Sequence, residues 1–381
     1  MIDFRAEHGG SAARTAAMFI KEFVQLRRDR LSFAMIVFIP LMQLLLFGYA
    51  INTTPRHLPT AVLSYEESDL TRSVLAALGN TSYFTVTRIA GSEAEMDHWL
   101  RSGDVLFGVE IPAGFERGVR RGDRPSLLVA ADASDPVAAG TALSALEGVV
   151  QTALARDRGL PETIRSAPAF EIRQHRRYNP AAVTSLNIVP GLLGTILTMT
   201  MLIFTALSVT REIERGTMES LLSMPIKPLE VMLGKIIPYI FIGFLQAALI
   251  LVFAVVLFNV PVSGSMLLLS VLSTLFIAAN LSIGYTFSTI AENQLQAVQM
   301  SFMFFLPNIL LSGFMFPFAG MPRWAQLVGE LLPLTHYLRI VRGIMLKGAT
   351  LYDLQGEALA LVGLMLLAIT IALRRFRRTL D

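Results

Sequence analysis

The sequence predicts an α-helical polytopic membrane protein with six transmembrane helices and an external α/β domain between the first and second spans. Three observations carry that reading. Hydrophobic residues make up 53% of the 381 and charged ones only 16%, with a mean hydropathy of +0.56, far from the balance of a water-soluble domain. The apolar residues collect in uncharged runs of about 20, the length needed to cross roughly 30 Å of hydrocarbon. The arginines sit at both chain ends and beside these runs, where they act as orientation signals, so a formal charge of +3 does not announce a nucleic-acid partner.

Residues 1–30 read as a cytoplasmic N-terminus. Within it Ala16, Phe19, Ile20, Phe23 and Leu26 recur at helical spacing, while Arg14, Lys21, Gln25 and Arg28 take the opposite face, a pattern that lays an amphipathic helix in the membrane interface. The first span, 31–50, is expected to stay as an anchor, because the run is long and lacks the small-residue cleavage site of a signal peptide. Arg14, Lys21, Arg27, Arg28 and Arg30 place its leading flank in the cytoplasm and the next segment outside. Further spans are read at Ala182 to Val209, Ile236 to Phe258, Met266 to Ile290, Leu295 to Phe318 and Ala358 to Leu373, a membrane region over 181–373. Counting crossings returns the basic tail 374–381, with Arg374, Arg375, Arg377 and Arg378, to the cytoplasm. Against this count, Arg323, Arg339, Arg342 and Lys347 fall on the outside.

Residues 51–180 alternate strand-like and helix-like stretches, which predicts one α/β domain. Strands are expected at Thr60 to Tyr65, Tyr83 to Arg88, Val105 to Glu110, Ser126 to Ala131 and Phe170 to Tyr178, and helices at Ser68 to Leu78, Ser92 to Arg101 and Val137 to Arg158. The chain has no cysteine, so this domain must fold by packing alone. The last external connection, 319–347, is predicted to hold a helical hairpin. Pro322 and Trp324 suit a helix start, and Leu338, Val341, Ile344 and Met345 recur at helical spacing behind Thr335 as a cap. Such an element would have to pack on the other spans if it dips into the bilayer.

An ion-coupled carrier needs ionisable groups near mid-bilayer, and none of the six spans has an interior Asp, Glu, Lys, Arg or His. Their polar residues, Gln43, Asn187, Gln246, Asn280, Gln299 and Asn308, read as helix-bridging groups. Chemical work would therefore enter from outside the bilayer. The chain contains no Walker A loop, since Gly234-Lys235 is followed by Ile236 and lacks a glycine cradle. His57, His98 and His175 read as solvated, and no cofactor or metal site is expected.

The most informative local stretch follows the second span, in the segment 211–235. Charges alternate through Arg211, Glu212, Glu214 and Arg215; Gly216-Thr217 then breaks the helix, and Thr217 can cap a short new one carrying Met218, Leu221 and Leu222 that ends at Pro225. Pro228 and Glu230 suit the first turn of the next helix. A short amphipathic helix between rigid breaks can dock into a groove on another protein; an ordinary solvated hairpin has the same spacing.

Glu214-Arg215-Gly216-Thr217-Met218-Glu219, followed by Leu221-Leu222, Pro225, Glu230 and Gly234-Lys235, resembles the signature of type-2 ABC exporter permeases. The likeness extends over most of the chain and is nearest to bacterial multidrug-efflux permeases with a large periplasmic domain. It implies that Glu214, Arg215, Gly216, Thr217, Glu219, Leu221, Leu222 and Pro225 couple the chain to a separate ABC ATPase subunit, which would bind the ATP and magnesium. It further implies a second permease subunit, identical or not, a membrane-fusion protein as a frequent companion, and a bacterial inner-membrane location. The expected cargo is amphiphilic or apolar: drug-like, lipid or polyketide. Two other classes compete. A receptor would use 51–180 to bind a ligand, and an enzyme on lipid-linked substrates would need convergent groups such as Glu330, His336 and Asp353.

Overall fold

The computed structural model describes residues 55–155, 157, 160–162, 168–215 and 228–378. The interfacial helix expected within 1–30 and the first span, 31–50, lie outside these residues.

The α/β stretch runs β1 (Leu58–Ser64), α1 (Asp69–Asn80), β2 (Phe84–Ile89), α2 (Glu93–Ser102), β3 (Phe107–Ile111), α3 (Phe115–Arg121), β4 (Ser126–Asp132), α4 (Pro136–Thr152) and β5 (Glu171–Arg177). Its helices start where local caps direct them. The Ser68 side chain accepts from the Thr71 N–H, Ser92 from the Glu95 N–H, and Asp135 from Val137 and Ala138 with Pro136 opening the helix. All five anticipated strands are present. Helix α3 was not anticipated, because seven residues are too few to show a period, and α4 stops at Thr152 rather than at Arg158.

The sheet order is β2-β1-β3-β4-β5, parallel except where β3 meets β4. One face packs α1, α3 and α4 through Leu70, Val74, Phe115, Val119, Leu143 and Leu146. The other receives α2 through Met96 and Leu100. That approach is close: a Cβ on Gly108 of β3 would stand 2.6 Å from the Met96 Sδ, so a larger residue there would force the Met96 side chain to move.

The helical part comprises α5 (Thr184–Glu214), α6 (Pro228–Phe258), α7 (Met266–Ser288), α8 (Gln294–Leu311), α9 (Arg323–Gly329), α10 (Pro333–Lys347) and α11 (Gln355–Arg378). Four of these, α5, α6, α7 and α11, are long and apolar enough to cross a membrane. Helix α5 packs on α7 so closely that a Cβ on Gly284 would sit 2.8 Å from the Leu202 carbonyl oxygen. Helix α8 differs from the span expected at Leu295 to Phe318. It ends at Leu311, with Ser312 as C-cap and Gly313 at φ 85, so it has 18 residues and the chain beyond it turns.

Of the polar residues read as bridges, Gln246 does join helices, its Oε1 accepting from Thr200 on α5 at 3.0 Å. Asn280 and Asn308 instead donate to carbonyls of their own helices, which leaves the Oδ1 of each without a partner among the described residues.

The hairpin at 319–347 is formed by α9 and α10. Thr335 does not cap it: Leu332 occupies that position without a side-chain bond, and the Thr335 hydroxyl donates to the Gly329 carbonyl at 2.6 Å. Leu338, Val341, Ile344 and Met345 are all buried as α10 packs against α5 and α7. Tyr337 stacks on Phe276 of α7 with centroids 4.0 Å apart, and its hydroxyl meets Ser273 at 2.7 Å.

Candidate functional site

The chain direction of α5 separates two places of interest. The α/β domain joins its N-terminal end at Thr184, and the signature segment leaves its C-terminal end at Glu214. A helix of 31 residues spans about 46 Å at 1.5 Å per residue, so the two regions lie at opposite ends of the helix.

At the C-terminal end the structure describes Glu214 and Arg215, both exposed. Gly216, Thr217, Glu219, Leu221, Leu222 and Pro225 lie outside the described residues. Helix α6 resumes at Pro228, where proline was expected to open it. Glu214 is not a free surface acid. Its Oε1 accepts the Gln294 backbone N–H at 2.7 Å, and its Oε2 accepts from the Gln294 side-chain amide. These two bonds, the backbone one first, hold its pKa below the usual glutamate value. Gln294 opens α8, with Asn293 as the N-cap, so Glu214 also satisfies an N–H that a helix start leaves unpaired. Beside it, Glu212 of α5 pairs with Lys235 of α6 at 2.5 Å. The segment 216–227 is thus flanked by two bridges that tie α5 to α6 and α5 to α8. Gln294 was not singled out in the sequence; the Asn-Gln-x-Gln run at 293–296 signals a helix start, but nothing local links it to Glu214.

At the other end the α/β domain meets the bundle in a polar seam. Lys347, the last residue of α10, pairs with Asp132 at the end of β4, donates to the Leu100 carbonyl at 3.4 Å and lies 5.6 Å from the Tyr178 ring centroid. Burial, then the Asp132 charge, raises the Tyr178 pKa to about 12. His98, expected to be solvated, instead contacts Asp353 at 3.0 Å, and Arg177 pairs with Asp97 within the domain.

Of the three groups that an enzyme reading would need, two converge. His336 is buried, with Nδ1 2.5 Å from Glu357 and Nε2 2.8 Å from the Glu330 carbonyl oxygen. Arg339 bonds both Glu330 and Glu357. Burial disfavours charge on His336, but the Glu357 hydrogen bond and the nearby acids outweigh it and raise its pKa. Asp353 is drawn away to His98. The converged groups satisfy one another as a salt-bridge network, and no group of three or more His, Asp and Glu suited to a metal occurs among the described residues.

Comparison with known proteins agrees with the apolar, membrane-crossing character of the helices. Residues 30–374 match the family described as ABC-2 family transporter protein. "Probable multidrug ABC transporter permease YbhS" of Escherichia coli (strain K12) is 32% identical over 373 residues, covering 97% of this chain and 98% of that protein. "Inner membrane transport permease YhhJ" of the same strain is 30% identical over 376 residues, with 95% and 96% covered. "Probable multidrug ABC transporter permease YbhR", also from that strain, is 27% identical over 331 residues, with 87% and 89% covered. A match over nearly the whole length, spanning helices and α/β domain alike, makes this chain a member of the ABC-2 family of transporter proteins.

Proposed function

We propose that this chain is the permease subunit of an ATP-driven exporter, moving an amphiphilic or apolar substrate out of the cytoplasm or the inner leaflet. A separate ABC ATPase binds ATP and magnesium and docks on the segment that follows Glu214. Two permease subunits enclose the path, and a membrane-fusion protein extends it. Both chain termini are cytoplasmic in the bacterial inner membrane, and the α/β domain lies outside. The observation that carries the reading is the polarity of α5, which separates the signature segment from the α/β domain by the length of a span. Supporting it, α5, α6, α7 and α11 keep their ionisable residues at their ends, so an ion gradient has no mid-bilayer group to act on. The names of YbhS and YbhR favour drug-like cargo.

The test is purification of the full-length chain from its native membrane. A Walker-motif ATPase is expected to accompany it in equimolar amount, and Glu214→Ala is expected to abolish substrate-stimulated ATP hydrolysis while leaving the helices folded. Substrate movement by the permease alone in vesicles, driven by an ion gradient without nucleotide, would overturn the reading.

A further inference from the structure

The seam between the α/β domain and α10 encloses a cavity of about 490 Å³, within the range of roughly 300–1,000 Å³ typical of small-molecule sites. One wall is the sheet domain, at the ends of α2 and β4 and the start of α4; the other is α10 with the turn after α8. Four cations reach it, Arg101, Arg339, Arg342 and Lys347, and four acids, Asp104, Asp132, Asp135 and Glu357. The numbers match, but the pairing does not. Lys347 is taken by Asp132, Arg339 by Glu330 and Glu357, and Asp104 by Arg88. Asp135 spends its Oδ1 on two N–H groups at the start of α4.

Two guanidinium groups are left over. Arg101 makes no ion pair among the described residues. Arg342 donates from Nη1 to the Gly313 carbonyl at 3.1 Å, while its Nε and Nη2 are sealed from water and have no acceptor among the described residues. A buried cation with unmet donors is costly and calls for a partner. Asp135 and Asp132 are near enough to act on Arg342 through their charge, though burial, the larger influence, lowers its pKa. Among the described residues the cavity thus holds two cations outside an ion pair, Arg101 and Arg342, against one such acid, Asp135. Its remaining wall is apolar, with Leu106, Phe107, Phe318, Leu338 and Leu354.

We propose that this cavity binds an organic oxyanion, a phosphate, sulfonate or carboxylate carrying an apolar group, with Arg342 and Arg101 receiving the charge and the apolar wall receiving the rest. Occupancy would tie the α/β domain to α10, since the ligand would touch both. The site is independent of the transport reading. It lies at the end of the bundle away from Glu214, and its ligand need not be cargo.

Isothermal titration of the purified full-length protein, reconstituted in nanodiscs of phosphatidylcholine, tests it with phenyl phosphate against phenyltrimethylammonium, two probes that share a ring and differ in sign. Phenyl phosphate is expected to bind and the cation not to. Arg342→Gln should weaken binding tenfold or more. Arg101→Gln, at a half-buried side chain with no ion pair to lose, should weaken it severalfold and serves if the first variant does not fold. Asp135→Asn keeps the helix cap and removes a negative charge, so it should tighten binding. Nanodiscs doped with phosphatidylglycerol separate the sources of the anion: weaker apparent affinity identifies a lipid headgroup as occupant, and unchanged affinity a soluble one. Equal binding of the two probes, or unchanged affinity in both arginine variants, sinks the proposal.

Discussion

The α/β domain and the helical bundle solve opposite problems with the same residues. In the domain, aromatic side chains turn inward, Phe84 meeting Phe107 edge-on at 5.1 Å and Phe115 meeting Phe170 at 5.7 Å, while the edge strand β5 shows its charges to solvent. In the bundle the outside of α6 is apolar, with Phe241, Leu245 and Val256 each more than half exposed, and polar Ser273, Asn280, Gln296 and Ser301 are buried. The two exteriors are built for different solvents. Where the regions meet neither rule suffices, and the contact is made by ion pairs.

That seam is the place to break the comparison. Lys347 and Asp132 are 9% and 3% exposed, so Lys347→Met would leave a buried carboxylate unpaired, at a cost of roughly 4 kcal/mol. Thermal unfolding of the purified chain should show the loss. Adding Asp132→Asn, which keeps the bond from the Ser134 N–H to Oδ1, should restore most of it. A single variant as stable as the parent would mean the seam is held by packing alone.

A charge on each exterior sharpens it. Leu245→Arg on α6 should cost about 3 kcal/mol if that face meets hydrocarbon, and folded yield in the membrane should fall accordingly. Ile89→Arg on β2, at a side chain 80% exposed, should change stability by less than about 0.5 kcal/mol, as at any hydrated surface. Similar outcomes at the two sites would place both faces in one solvent.

Much of the fold was legible because its signals are local. Ser68, Ser92 and Asp135-Pro136 cap helices within three residues of themselves, and the apolar runs of α5, α6, α7 and α11 announce their own length. What escaped was long-range. Glu214 and Gln294 are 80 positions apart, and no period or motif connects them. The basic residues Arg323, Arg339, Arg342 and Lys347 run against the charge rule for the expected orientation; Arg323 is exposed, and the other three are engaged differently. Arg339 and Lys347 are consumed in ion pairs with Glu330, Glu357 and Asp132, and Arg342 is buried, so none of the three is a solvated cation of the kind that the rule counts. Helix α8 is also shorter than the span its apolar run suggests: Pro307 and Asn308 lie near its end, and the helix stops four residues past the proline.

A subtler, pH-dependent effect lies in the network at His336, where acid and base chemistry sits at the edge of the apolar bundle. Both imidazole nitrogens face oxygen atoms, and Arg339 stands on the same two acids, Glu330 and Glu357. With the folded pKa raised above the ordinary imidazole value, the protonated ring contributes stability that is complete below that ordinary value and is lost as pH rises through the raised one. Hydrogen bonds to charged groups are worth about 1.5 kcal/mol or somewhat more, so the unfolding temperature should fall modestly over that upper window. His336→Gln keeps a donor toward one oxygen but cannot carry the charge, and should remove this part of the pH dependence while leaving the curve elsewhere parallel to the parent's. An identical pH profile in the two proteins would show that folding leaves the proton affinity of the ring unchanged.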